Sequence, residues 1–228
     1  MEQEAWRVYP HTYAFKLSNH IWKPYHYLKN ISKAIAHAVS IGNGRILVNL
    51  PPRHGKSFLI SKWTPIWYLD NFPDKKVLLT TYEANFASDW GYIVRNEMRD
   101  NPLCRSTLRE DSTAKSGWLT DAGGGMKTAG SGGPITGKGA DLIICDDLVK
   151  NSAEAGSQTY RRNLVQWFNS TLYTRLEPGA TLIVLMTRWH EEDIAGHILN
   201  EHNDKWKHLN FPAICEKEQD ELGRKQGE

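Results

Sequence analysis

The sequence predicts an α/β fold in which helices cover both faces of a central, mostly parallel β-sheet. The segment Asp141–Asp146 is apolar on both faces, as expected of a strand at the centre of a parallel sheet. Short apolar segments of this kind alternate along the chain with longer segments whose apolar residues recur at helical spacing. Such alternation builds a sheet with right-handed crossovers. We therefore expect a three-layer sandwich.

The first half of the chain contains two predicted strands and three predicted helices. Pro65 lies inside the second helix and should kink or split it, because proline lacks the amide hydrogen that a helix interior needs. Asn101–Pro102 ends the third helix. The predicted elements, in chain order, are a helix over Pro24–Ile41, a strand over Arg45–Leu50, a helix from about Ser57, a strand over Val77–Thr81 and a helix over Ala84–Arg99.

The second half adds a β-hairpin insertion near residues 116–130 and a glycine-rich loop. The hairpin is predicted over Ser116–Thr128 and turns at Gly123–Gly125. Five of the ten residues from Gly130 to Gly139 are glycine, which is typical of a loop. The remaining predicted elements are the strand Asp141–Asp146, a helix around the apolar stripe Tyr160–Leu172, the strand Thr181–Thr187 and the helix Glu191–His202.

Length and charge predict one domain over residues 1–214, with 215–228 as the start of a linker. The chain has 228 residues, which fits one large domain plus a fragment at about 150 residues per domain. Eight of the thirteen residues from Glu216 to Glu228 are charged, as in many linkers.

The composition excludes a disordered chain and a membrane protein, because 40% of the residues are apolar and 24% are charged. The start of the chain is acidic and lacks the pattern of a secretory signal, which favours the cytoplasm. Three unpatterned cysteines argue against disulfides and a zinc site. The net charge of +2 means that nucleic acid would have to bind at a local patch.

The segment Pro51–Ser57 has the placement of a phosphate-binding loop, between a predicted strand and a predicted helix. Backbone amides at a helix start favour anions, Lys56 supplies a point charge for the β- and γ-phosphates, and the Ser57 hydroxyl is a Mg²⁺ ligand. Leu50 stands where the usual pattern has its first glycine. A turn with a solvated lysine is the alternative interpretation. The candidate nucleotide-binding residues are Pro52, Arg53, His54, Gly55, Lys56 and Ser57.

Two carboxylates, Asp146 and Asp147, follow the apolar strand that precedes them. Acidic residues at this end of a parallel sheet, beside a phosphate loop, are what a Mg²⁺-nucleotide site needs. Asp146 is the candidate metal ligand, and we expect it to hold the ion through water. Asp147 and Glu154 are both candidates for orienting the attacking water, Asp147 by its position and Glu154 by its longer side chain. Strand-end solvation and helix capping remain the alternative for the aspartates.

Five motifs together resemble the N-terminal ATPase domain of the large terminase subunit of tailed phages, the motor that packages viral DNA. The resemblance implies an ASCE-type P-loop NTPase fold, ATP and Mg²⁺ as cofactors, and translocation of double-stranded DNA into a procapsid. The motifs are Pro-Pro-Arg-His-Gly-Lys-Ser (51–57), Val-Leu-Leu-Thr-Thr-Tyr (77–82), Gly-Gly-Pro-Ile-Thr-Gly-Lys-Gly-Ala-Asp-Leu-Ile-Ile-Cys-Asp-Asp (132–147), Met-Thr-Arg-Trp-His-Glu-Glu-Asp-Ile-Ala-Gly (186–196) and Phe-Pro-Ala-Ile (211–214).

The resemblance also implies roles for single residues. Thr187 and Arg188 match the coupling motif, which senses the γ-phosphate and relays hydrolysis to DNA movement; ordinary strand-end polarity is the alternative. Tyr25 and His26 fall in the adenine-binding segment, although the glutamine often found there is absent, and a core or capping role is the alternative.

Two basic residues are candidates for further catalytic roles. Arg53 matches an arginine that packaging motors often carry in the phosphate loop, and its alternative is a solvent-facing side chain. Lys138 stands where close relatives usually have an arginine that reaches the neighbouring subunit's nucleotide. Lysine keeps the charge but lacks the guanidinium fork that binds phosphate oxygens in pairs, and a solvated lysine is the alternative.

The resemblance implies double-stranded DNA, a portal protein, the small terminase subunit and a homo-oligomeric ring as partners, and no membrane. It places the phage-encoded protein in the host cytoplasm, docked transiently on the procapsid. Terminases of this type carry a nuclease domain after the linker, so no DNA cleavage is expected of this chain. A helicase-like ATPase and a weakly active nucleotide-binding docking module are the alternatives. The candidate DNA-contacting residues are Arg95, Arg99, Arg105, Arg109, Arg161 and Arg162, which are equally compatible with solvated faces.

Overall fold

The computed structural model describes residues 2–135, 137, 139–201, 205–220 and 222–228. The strands are β1 (Arg45–Asn49), β2 (Lys76–Thr81), β3 (Gly117–Leu119), β4 (Gly125–Gly130), β5 (Ala140–Asp146), β6 (Leu176–Met186) and β7 (Lys207–Asn210). The helices are α1 (Pro10–Leu17), α2 (His26–Ile41), α3 (Thr64–Asn71), α4 (Ala84–Asp100), α5 (Ser152–Gly156), α6 (Gln158–Trp167) and α7 (Ile194–Glu201).

The strands form one sheet in the order β3-β4-β2-β5-β6-β1-β7. Every neighbouring pair is parallel except β3 and β4, which are antiparallel. The predicted mostly parallel α/β sheet is confirmed. Because all strands except β3 run in the same direction, their carboxyl ends lie along one edge of the sheet.

Side chains from the two faces of the sheet enter two separate apolar clusters, which makes the molecule a three-layer sandwich. Ile144 and Ile183 pack on one face with residues of α2 such as Ile35. Their neighbours along the strands, Ile143 and Leu182, enter the cluster on the other face with residues of α6 and α7. This alternation follows from the two-residue period of a strand.

The predicted hairpin is present as β3 and β4, which pair from Gly117↔Lys127 to Leu119↔Gly125. The second strand also pairs in parallel with β2, from Lys76↔Gly125 to Thr81↔Gly130. The hairpin therefore extends the main sheet at one edge.

The helix predicted to kink or split at Pro65 is not split, since residues 56–71 are helical without a break, but its geometry changes just before the proline. The segment Phe58–Trp63 is a turn of π-helix, and α3 begins at Thr64 with the proline in its first turn. The Thr64 amide donates to the Leu59 carbonyl with π-helical spacing, so the change to α-helical bonding falls at the proline, which has no amide hydrogen to donate.

Three elements were not predicted from the sequence: the N-terminal helix α1, the short helix α5 and the edge strand β7. Helix α1 has only eight residues, and β7 has four, of which only Leu209 is buried. Elements this short carry too few apolar positions to show a period.

The segment predicted to begin a linker folds back on itself. Cys215 is buried, its amide donates to the Glu228 carbonyl at 2.8 Å, and Gln219 bridges to Lys225. Its role as a linker stays a prediction. Within the described ranges, no helix is long and apolar enough to cross a membrane.

Candidate active site

The site lies where β1, β6 and β5 end side by side at the carboxyl edge of the sheet. The sheet order places one strand, β6, between β1 and β5. The loop Pro51–Ser57 follows β1, Asp147 follows β5, and Thr187 follows β6. The structure thereby brings together Lys56, Ser57, Asp146, Asp147 and Thr187. The first four were predicted from the residues themselves, whereas Thr187 was predicted from the family resemblance.

Lys56 is buried and connects the loop to both neighbouring strand ends. Its Nζ atom lies 2.9 Å from Oδ2 of Asp147 and donates to the Thr187 hydroxyl at 2.7 Å. The Thr187 amide also donates to Oδ1 of Asp147, at 2.8 Å. A lysine ammonium has three donors, and both Asp147 carboxylate oxygens and the Thr187 hydroxyl lie within 3.0 Å of it, so a phosphate would have to compete with these partners.

Asp147 has a left-handed backbone conformation, with a φ angle of 48°. Its amide donates to the Leu185 carbonyl at 2.9 Å and its carbonyl accepts from the Tyr82 amide at 3.1 Å. These two backbone hydrogen bonds, to β6 on one side and to the end of β2 on the other, hold Asp147 in the left-handed conformation, which aspartate tolerates better than most residues. The backbone turn directs the carboxylate toward Lys56.

Asp146 is 1% exposed, and each of its carboxylate oxygens accepts a serine hydroxyl. Ser57 Oγ lies 3.2 Å from Oδ1, and Ser61 Oγ lies 2.6 Å from Oδ2. Burial, followed by the neighbouring charge of Asp147, raises the pKa of the Asp146 carboxyl to about 6. The sequence analysis did not predict a role for Ser61. The feature that could have indicated it is the position of a small polar residue one helical turn after Ser57.

The donor set at Ser57 and Asp146 fits Mg²⁺. Both residues offer hard oxygen atoms, 3.2 Å apart. Among the described residues, no group of three or more His, Cys, Asp or Glu could hold a metal ion. One carboxylate and one hydroxyl are the small protein contribution that Mg²⁺ takes when phosphates and water complete its coordination.

The phosphate loop is tightly turned, because Arg53 and Gly55 have φ angles of 63° and 75°. The Tyr27 hydroxyl donates to the His54 carbonyl at 3.1 Å and so fixes the loop from α2. The Leu59 amide closes the first helical turn on the Gly55 carbonyl at 3.2 Å. The Arg53 side chain is exposed at the outer side of this turn.

Tyr25 and His26, which are predicted to bind adenine, lie at the start of α2, the helix whose Tyr27 contacts the loop. Tyr25 is 69% exposed, and its ring stacks on that of Tyr27 with centroids 5.8 Å apart and planes 5° apart. His26 is the exposed first residue of α2. The next residue, Tyr27, was not among the predicted site residues, and the contact of its hydroxyl with the loop was not predicted from the sequence.

Two other candidates are engaged away from the Lys56 ammonium. Glu154 Oε2 accepts from the Lys150 amide at 3.1 Å, and the Glu154 amide donates to the Asn151 side chain at 3.0 Å, which caps α5. Arg188 Nε donates to the buried carboxylate of Asp193 at 3.0 Å. Lys138 lies outside the described residues.

This sheet order, with a phosphate loop after β1 and an acidic strand end one strand away, defines a P-loop α/β domain. The chain belongs to the family of large terminase subunits of the T4-like virus type, N-terminal domain, whose family model matches residues 47–227. The comparison with curated proteins gave no match.

Two of the solved structures that match this chain illustrate the shared fold. The large terminase of bacteriophage HK97 is 12% identical, with a TM-score of 0.59, and the match covers 86% of this chain and 42% of that one. A point mutant of the ATPase domain of the Thermus phage P74-26 large terminase is 14% identical, with a TM-score of 0.50, and the match covers 86% of this chain and 84% of that one. This chain thus spans about two fifths of the HK97 protein's length.

Proposed function

We propose that this domain binds Mg²⁺-ATP, hydrolyses it, and couples hydrolysis to movement of double-stranded DNA into a procapsid. The observation that carries the proposal is the contact of Lys56 with both Asp147 and Thr187, beside the pair formed by Ser57 and Asp146. Membership of the large-terminase family and the ATPase domain of the Thermus phage relative support the same function.

Each residue then has a separate task. Lys56 binds the β- and γ-phosphates by its positive charge, and the amides of the loop add further donors. When bound, Mg²⁺ supplies positive charge that neutralises the phosphates. Ser57 and Asp146 are the protein ligands for that ion.

Asp147 is the group that orients the attacking water and accepts its proton. Its carboxylate is partly exposed, with 31% of the side chain open to solvent, and it is paired with Lys56. When a phosphate draws the ammonium away, the carboxylate regains acceptor capacity for water. Thr187, bonded to both residues, is then displaced in turn, which links the state of the phosphate to the end of β6.

The interaction with DNA requires charge that is free of internal partners. Several candidate arginines are ion-paired within the chain: Arg99 with Asp100, Arg109 with Asp111, Arg105 with Glu4 and Arg161 with Glu192. The pairs of Arg99, Arg105 and Arg109 are exposed, and such pairs are weak and can be exchanged for phosphate contacts, whereas the Arg161 side chain is only 10% exposed. The portal protein, the small subunit and a ring of identical subunits complete the proposed assembly in the host cytoplasm.

Steady-state ATP hydrolysis, with and without DNA, tests this proposal. The wild type should hydrolyse ATP only with Mg²⁺, and Lys56→Ala should reduce turnover by orders of magnitude, because positioned charge supplies most of phosphoryl-transfer catalysis. Circular dichroism of the variant checks that it is folded. Undiminished turnover in Lys56→Ala contradicts the assignment of the loop, and nucleotide binding without hydrolysis under any condition favours a docking module.

A further inference from the structure

We propose that Ser61 is a positioning residue for the Mg²⁺ ligand Asp146, an inference that rests on the proposed function. Ser61 lies in the π-helical turn Phe58–Trp63 and is 0% exposed. Its hydroxyl donates to Oδ2 of Asp146 at 2.6 Å, across 85 residues of sequence. Bonds from a hydroxyl to an ionised carboxylate are short and roughly twice as strong as neutral ones.

The two oxygens of Asp146 have different surroundings. Oδ2 faces the buried Ser61, whereas Oδ1 faces Ser57, which is partly exposed at the helix start. A carboxylate with one oxygen fixed has little freedom to rotate about its Cβ–Cγ bond. Ser61 thereby keeps Oδ1 at the metal side, beside the Ser57 hydroxyl.

The direction of the Ser61 hydroxyl is specific to this role. Serine and threonine hydroxyls inside helices usually bond to a carbonyl of the preceding turn. Thr64 does so, since its hydroxyl donates to the Leu59 carbonyl at 2.9 Å. Ser61 instead donates to another element of the fold, at the carboxylate that the site uses. Partners that orient metal ligands in this way typically change metal affinity by about 10- to 100-fold when removed.

The test is Mg²⁺-dependent binding of a fluorescent ADP analogue to the full 228-residue chain. Ser61→Ala should raise the Mg²⁺ concentration for half-maximal binding about tenfold, while the affinity for the analogue in excess EDTA stays within about twofold of wild type. Ser61→Cys keeps a similar side-chain volume but has a thiol, which is a weaker hydrogen-bond donor than a hydroxyl. It should raise the Mg²⁺ requirement in the same direction, and it serves as the test variant if Ser61→Ala does not fold.

Thr64→Val is the matched control, because Thr64 is also 0% exposed and loses a hydroxyl that donates to a backbone carbonyl and not to Asp146. It should keep the wild-type Mg²⁺ requirement. An unchanged requirement in the Ser61 variants, or an equal change in Thr64→Val, overturns the proposal for Ser61. A wild type that binds no nucleotide at any Mg²⁺ concentration contradicts the proposed function itself, and this inference with it.

Discussion

Asp147 and Glu154 differ in what holds their carboxylates. The Asp147 carboxylate contacts Lys56 and the Thr187 amide at the site. The Glu154 carboxylate accepts from the amide of Lys150, beside the Asn151 cap to which the Glu154 amide donates. A carboxylate that accepts a backbone amide at a helix start stabilises that helix, and the same carboxylate oxygen is then not available to orient water. The structure therefore favours Asp147 for orienting the water.

We expect Asp147→Asn to lower the turnover number at least about 100-fold while ADP still binds, because asparagine does not accept the proton of water. Glu154→Gln should hydrolyse ATP at nearly the wild-type rate, since glutamine also serves at this position of a capping box. Turnover at saturating ATP, together with fluorescent ADP binding, compares the two variants. Loss of turnover in Glu154→Gln alone would transfer the role to Glu154.

At the level of elements, a buried aspartate ties the N-terminal helix to the rest of the fold. Asp70, in α3, accepts hydrogen bonds from the Tyr13 hydroxyl at 2.8 Å and the Ser106 amide at 2.8 Å, and pairs with Arg7. Three segments far apart in the sequence thus meet at one carboxylate. This contact network, more than helix propensity, explains why the short α1 is helical.

A histidine connects α1 to α2. The Ser32 hydroxyl accepts from the His11 amide at 2.9 Å, so its own hydrogen is available to the ring Nδ1, 2.9 Å away. Nδ1 is then an acceptor and the ring is neutral. Burial, and then the charges of Lys29 and Lys33, lowers the pKa of His11 to about 4.

This histidine should make stability depend on pH in mildly acidic solution. The unfolded chain binds a proton at His11 below about pH 6.5, whereas the folded chain does so only near pH 4, so stability is complete above pH 6.5 and falls toward pH 4. The loss should amount to roughly 3 kcal/mol, since each unit of pKa difference corresponds to about 1.4 kcal/mol.

His11→Asn keeps an acceptor for Ser32 without the titration, so urea unfolding at pH 7, 5.5 and 4.5 should show a flatter dependence than in the wild type. His37→Asn, on the exposed side of α2, is the matched control and should follow the wild-type curve. Parallel curves for wild type and His11→Asn would contradict the assignment.

At the scale of the whole molecule, we expect the proposed motor to complete its active site with a residue from a neighbouring subunit. Lys138 is the candidate donor by resemblance. Its single ammonium stabilises transition-state charge less well than a bidentate guanidinium, so we expect low ATPase activity from the isolated chain and a higher rate after assembly.

A mixing experiment tests this arrangement. Lys138→Ala subunits, which keep their own phosphate loop, should regain hydrolysis when mixed with Lys56→Ala subunits, which still carry Lys138. The rate is measured with procapsids and DNA, so that the ring assembles. Absence of rescue, with a wild-type rate for assembled Lys138→Ala, would redirect the search to Arg53 or to the arginines near residue 161.

The sequence by itself determined the sheet, the phosphate loop and the acidic strand end. These features depend on neighbouring residues: apolar runs with strand or helix period, and Gly-Lys-Ser shortly after a strand. The hairpin also followed from local turn chemistry, although its place in the sheet beside β2 did not.

Only the tertiary structure decided which side chains meet. Ser61 and Asp146 are 85 residues apart in the sequence, and Lys56 and Thr187 are 131 residues apart. Helix and strand periodicity concerns neighbouring residues only, so it cannot predict contacts at such separations. It likewise decided that Arg188 binds Asp193 and that Glu154 donates to the cap of α5. The physical reason is that strand order sets which loops share an edge, and close packing there selects one partner for each polar group.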